Sequence, residues 1–122
     1  MIDSKDNVNL MRKRVRVVAR KQLKNLTEPM YYILLILTTP NHGYGIMQRV
    51  EEMTEGHVII GAGTLYTLLS RFENEGIIKV VSQEDRKKNY VITEKGRDLL
   101  EEEFQRLNRL IQDGERLLGG GS

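Results

Sequence analysis

Helical patterns that run straight into a two-stranded hairpin constrain this 122-residue chain more than any single motif does. Residues 77–82 and 89–93 are strand-like, and the polar stretch 83–88 reads as the turn between them. Upstream, Thr27 predicts an N-cap, with Glu28 and Pro29 in the first turn of a nearly all-apolar helix over 30–37. The cluster Thr39-Pro40-Asn41-His42-Gly43 predicts a turn. A helix from Tyr44 to about Met53 follows, with Ile46, Val50 and Met53 on its inner face. After the break at Glu55-Gly56, residues 57–60 predict a short strand. Gly61-Ala62-Gly63 opens a helix from Thr64 to about Glu75. Its core face is Leu65, Leu68, Leu69 and Phe72, and Gly76 stands where a C-terminal glycine cap belongs.

Two further helices flank this block. Over residues 7–25, Val8, Met11, Val15 and Val18 recur at spacings of three and four. Arg12, Lys13, Arg14, Arg16, Arg20, Lys21 and Lys24 cover the rest of that segment. At the other end, Thr93 caps a long helix reaching Leu118. Leu100, Phe104, Leu107, Ile111 and Leu118 occupy a/d-like positions there, with Gly114 in the remaining slot. The whole reads as mainly α with a small β-hairpin wing: a winged helix-turn-helix with added N- and C-terminal helices, in one domain.

Composition closes off several function classes. The chain has no cysteine, which excludes disulfides, thiolate nucleophiles and Cys-ligated zinc. Its two histidines, His42 and His57, fall in a turn and beside a short strand, and no metal-ligand spacing, Ser-His-Asp order or phosphate-cradling glycine loop appears. Glu101-Glu102-Glu103 reads as a solvated face. No catalytic residue, metal or cofactor is therefore expected. The longest apolar run, residues 33–37, is too short to cross a bilayer, and residues 1–6 do not resemble a signal peptide, so a cytoplasmic protein is expected. Residues 119–122 read as a flexible tail.

The formal charge of +2 says little about partners, whereas its placement says more. On the helix after Gly63, the residues left outward or at the edges are Thr64, Tyr66, Thr67, Ser70, Arg71 and Asn74. A helix with such a face fits the major groove of double-stranded DNA, and it is equally an ordinary amphipathic helix. The hairpin carries Arg86, Lys87 and Lys88, suited to phosphate and also to keeping a hairpin edge soluble. The basic residues of 7–25 allow three roles: DNA backbone contact, a solvated face, or pairing with Glu101, Glu102 and Glu103. The C-terminal stripe is the best dimerisation element, with Val15 and Val18 of the first helix as accessory residues.

Several segments, taken in order, resemble the PadR-like regulators. They are Tyr32-Ile-Leu-Leu-Ile-Leu, His42-Gly-Tyr44-Gly-Ile46, Gly63-Thr-Leu-Tyr66, Leu69-Ser-Arg-Phe-Glu-Asn-Glu-Gly-Ile77 and Tyr90-Val-Ile-Thr93-Glu-Lys-Gly96. The likeness covers about residues 28–118 and is closest to the shorter subgroup with one C-terminal helix. It implies a homodimeric repressor with residues 28–93 as the DNA-binding unit, 94–118 as the dimerisation helix and 1–27 as an accessory basic helix. It also implies DNA contacts from Tyr44, Thr64, Tyr66 and Arg71 and from a wing at residues 86–88. Some relatives are similar in binding aromatic or cationic drugs between subunits through tryptophan. This chain has no tryptophan, so a small hydrophobic effector would need Met, Tyr and Phe instead. Two departures stand out: Gly61-Ala62 where the family often has Ser-Pro, and the length of the basic segment ahead of Glu28. The competing class is a winged helix that docks proteins or packages DNA without reading an operator.

Overall fold

A computed structural model describes residues 25–119. Among them, four helices and three strands follow in the order α1 (Glu28–Ile36), β1 (Asn41–His42), α2 (Gly43–Met53), α3 (Ala62–Asn74), β2 (Ile78–Glu84), β3 (Lys87–Ile92) and α4 (Glu94–Leu117). The expected helix over 7–25, with Val15 and Val18, lies outside the described residues apart from Asn25.

α1 starts as its sequence requires. Thr27 is the N-cap, its hydroxyl accepts from the Met30 amide, and Pro29 sits in the first turn, where no amide donor is needed. Ile33, Leu34, Ile36 and Leu37 are fully or almost fully enclosed, so α1 is the central helix of the core. It packs on α2 and α4, and the carbonyl of Leu37 accepts from the Ile92 amide, tying the end of α1 to β3. Ile46 and Val50 of α2 and Leu65, Leu69 and Phe72 of α3 complete the helical part of the core. α3 ends as predicted: Gly76 takes φ 74°, and the Ile77 amide turns back to the Phe72 carbonyl at 2.8 Å.

The sheet corrects three expectations. Its order is β1-β3-β2, all antiparallel, and its third member is the pair Asn41–His42 within the predicted turn cluster. Residues 57–60 are not a strand. They run as a connector, held where Thr54 Oγ1 accepts from the Val58 amide at 3.0 Å, while Val58 and Ile60 sink into the core. The β-branched Val58 and Ile60 serve burial, not pairing, while Ile59 stays exposed. The hairpin is also longer than expected. β2 reaches Glu84 and β3 begins at Lys87, leaving only Asp85 and Arg86 in the turn, at φ 49° and 67°. Both residues left-handed is the pattern of a type I′ turn, whose twist matches the strands. A bulge between Val80 and Ser82 bends the ribbon.

Thr93 links hairpin to α4. Its hydroxyl accepts from the Gly96 amide at 3.1 Å and donates to the Gly76 carbonyl at 2.6 Å. Leu99 and Leu100 anchor α4 in the core, whereas Phe104, Ile111 and Leu118 stand 54%, 60% and 88% exposed. Leu107 is half-buried. Of the predicted pairing stripe, Leu100 thus belongs to the core of the chain itself. No helix among the described residues is long and apolar enough to cross a membrane.

Candidate nucleic-acid interface

The short strand β1 does the positioning. By pairing Asn41 with Tyr90 and His42 with Asn89, it sets the start of α2 against the base of the wing. His42 is then the N-cap of α2. Its Nδ1 accepts from the Gly45 amide at 3.2 Å, and its own amide donates to Asn41 Oδ1 at 2.9 Å. A lone pair committed at Nδ1 leaves the proton of the neutral ring on Nε2. The next exposed side chain is Tyr44, 60% exposed, whose hydroxyl accepts from Gln48 Nε2 at 3.2 Å.

α3 meets α2 through one close approach. A Cβ placed on Gly43 would stand 2.5 Å from Tyr66 Oη and 2.9 Å from its Cζ. Only a residue without a side chain lets the Tyr66 ring lie over the first turn of α2. Tyr66 nonetheless remains 51% exposed. His42, Gly43, Tyr44, Tyr66, Tyr90 and the three cations Arg86, Lys87 and Lys88 line one open cleft of about 310 Å³. Burial, with Glu73 and Tyr66 nearby, pushes the Tyr90 phenol up, so it stays a neutral donor and acceptor at the floor of this cleft.

The remaining predicted readers lie along α3. Thr64, Thr67, Ser70 and Arg71 are all exposed, and Arg71 Nε stands 3.7 Å from Glu75 Oε1 one turn on. Leu65, Leu69 and Phe72 occupy the opposite, core-facing side. Among the described helices, α1, α2 and α4 receive a side-chain cap from Thr27, His42 and Thr93. The N-cap of α3 is Gly61, which makes no side-chain cap bond, and the space around Gly61 and Gly63 is open. Its first-turn amides therefore keep their donors for an outside acceptor, with the positive end of the helix dipole behind them.

The structure brings Tyr44, Tyr66, Arg86, Lys87 and Lys88 together. Thr64, Thr67, Ser70 and Arg71 run away from them along one exposed helix face. His42 and Tyr90 join the cleft, although the sequence does not mark them as site residues. The His-Gly-Tyr run is the available signal for His42. Tyr90 reads only as a strand residue. Chemically, the arrangement offers cations, phenols, an imidazole N–H and free amides, a donor-rich surface for phosphate, beside a helix face that fits a major groove. No group of three His, Asp or Glu that could hold a metal occurs among the described residues.

The family model described as the transcriptional regulator PadR-like family matches residues 33–102. The chain is 27% identical over 70 residues to the transcriptional regulator YqjI of Escherichia coli, over 57% of this chain and 34% of that protein. It is 35% identical over 71 residues to an uncharacterized 37.1 kDa protein in transposon TN4556 of Streptomyces fradiae, over 58% of this chain and 20% of that one. The matched region thus spans about a third or less of these relatives. Among solved structures, a PadR-like transcriptional regulator from Bacillus cereus is 27% identical with a TM-score of 0.61, over 72% of this chain and 88% of that one. A PadR family regulator from Eggerthella lenta shares the fold at 22% identity, with a TM-score of 0.62 over 94% and 97% of the two chains. With its winged helix-turn-helix and a family match over more than half its length, the chain belongs to the PadR-like family, which consists of transcriptional regulators and not enzymes.

Proposed function

We propose that the protein is a homodimeric repressor that reads an inverted-repeat operator in double-stranded DNA. One observation carries this reading above the rest: Tyr44, Tyr66 and the cations Arg86, Lys87 and Lys88 share one cleft at the start of the exposed α3 face. In this reading α3 enters the major groove, with Thr64, Thr67, Ser70 and Arg71 toward base edges. Tyr44, the α3 amides and the wing hold phosphates on either side. Residues 28–93 form the reading unit, and the exposed apolar stripe Phe104, Leu107, Ile111 and Leu118 pairs two subunits. Two reading helices then meet successive major grooves about 34–36 Å apart. Bound there, the dimer represses by excluding polymerase. A small hydrophobic effector would act at the seam beside Phe104 by changing the spacing between the two reading helices.

The test is fluorescence anisotropy of labelled DNA from upstream of the protein's own gene, against a scrambled duplex, at two salt concentrations. The expected result is tighter binding of the upstream fragment, weakening steeply with salt. Tyr66→Ala is expected to weaken that binding while the sedimentation mass is unchanged. Absence of binding to either duplex at low salt would overturn the reading in favour of a protein-docking winged helix.

A further inference from the structure

The ends of two family-like segments, residues 75–77 and 93–96, line no part of the cleft and meet each other instead. Three successive carbonyls follow the last turn of α3, and the first residues of α4 take all three. Lys95 Nζ donates to the Glu75 carbonyl at 2.8 Å, the Thr93 hydroxyl to that of Gly76 at 2.6 Å, and the Thr93 amide to that of Ile77 at 2.9 Å. Lys95 thereby sets a cation at the negative end of the α3 dipole. Gly96 closes the joint, because a Cβ there would run into the Ile77 carbonyl oxygen. The obstacle is backbone, so only glycine lets the first turn of α4 lie this close.

The joint fixes the direction of a long lever. α3 ends at it, and α4 carries the exposed apolar residues from Phe104 to Leu118 away from it. From Gly96 to Ile111 the helix advances about 22 Å, so a tilt of about 10° at the joint moves Ile111 by about 4 Å. One base pair advances DNA by ~3.4 Å. A small change of angle here is therefore as large as one step of half-site spacing.

We propose that Thr93, Lys95 and Gly96 are positioning residues that lock α4 to the end of α3 and so set the half-site spacing the protein accepts. The proposal rests on the operator reading and on pairing through α4. In that dimer the seam holds the far part of α4 and the joint holds its start, so each reading helix stands at a fixed distance from the twofold axis. A change of angle at the seam passes through the same joint to α3.

The test uses the full chain, the duplex it enriches from a random pool, and two versions of that duplex with the half-sites one base pair closer or farther apart. Anisotropy titrations give a Kd for each. The wild type is expected to prefer its own spacing by about tenfold. Lys95→Met with Thr93→Ala is expected to cut that preference to about threefold or less, because a looser joint lets α3 follow a displaced half-site. Lys95→Arg, which keeps a donor for the Glu75 carbonyl, is expected to retain it. A variant that is merely less stable loses affinity for all three duplexes by one factor and leaves the ratio alone. An unchanged ratio in Lys95→Met with Thr93→Ala would therefore overturn the proposal while the operator reading stands. A wild type indifferent to spacing would overturn it as well. A wild type that enriches no duplex would overturn the operator reading and the proposal with it.

Discussion

Gly43→Ala is the smallest change that separates the interface from the fold. The new Cβ would stand 2.5 Å from Tyr66 Oη, well inside van der Waals separation. The obstacle is the far end of a half-exposed side chain, so the ring swings toward solvent and the backbone stays in place. Helix propensity favours alanine by about 0.5–1 kcal/mol, which offsets part of the cost of moving the ring. Stability is therefore expected to change by less than about 1 kcal/mol, a shift in Tm of roughly 4–8 °C at most. DNA binding changes more. In the proposed dimer, one Tyr66 hydrogen bond to DNA is worth about 1 kcal/mol, and its loss from both copies costs about 2 kcal/mol together, close to 30-fold in Kd. Anisotropy titrations of Gly43→Ala, Tyr66→Ala and the double variant form a cycle. The double variant is expected to bind no worse than Tyr66→Ala alone, because the glycine acts through the tyrosine. Wild-type affinity for Gly43→Ala, or losses that add in the double variant, would refute the argument.

Three other outcomes follow from the same structure. Replacing Lys87 and Lys88 with Ala should lower the slope of log K against log salt by about one for each phosphate no longer neutralised, measured by titration across salt concentrations. Ile111→Asp, at an exposed point of the α4 stripe, should give monomers in sedimentation, and an unaltered mass would rule out that seam. Phe72→Ala empties the largest fully buried site in the core and should cost about 3–5 kcal/mol in urea unfolding, whatever its effect on DNA.

The helices and the wing are legible in the sequence because their signals are local. Thr27, Thr93 and Gly76 mark ends through their own chemistry, and Leu65, Leu69 and Phe72 mark a face through spacing. The third strand is not legible. Asn41 and His42 have no β-prone character, and their pairing depends on β3, some fifty residues away. Residues 57–60 mislead in the opposite direction: Val58 and Ile60 are β-branched because they are buried. The turn reads too long because Asp85-Arg86 lacks the glycine that usually announces a type I′ turn. For the interface, exposure of Tyr66, Arg71 and the wing cations is readable from the pattern. The convergence of His42, Tyr66 and Tyr90 on one cleft is not, since it needs β1 to bring three distant segments together.

The most direct test of operator reading by a paired protein is selection of duplexes from a random pool by the full chain, followed by footprinting of the winners. The expected winner is an inverted repeat whose half-site centres lie about 10–10.5 base pairs apart, or a multiple of that spacing, with protection on both halves. A pool that never enriches, or a single unsymmetrical site protected once, would contradict it.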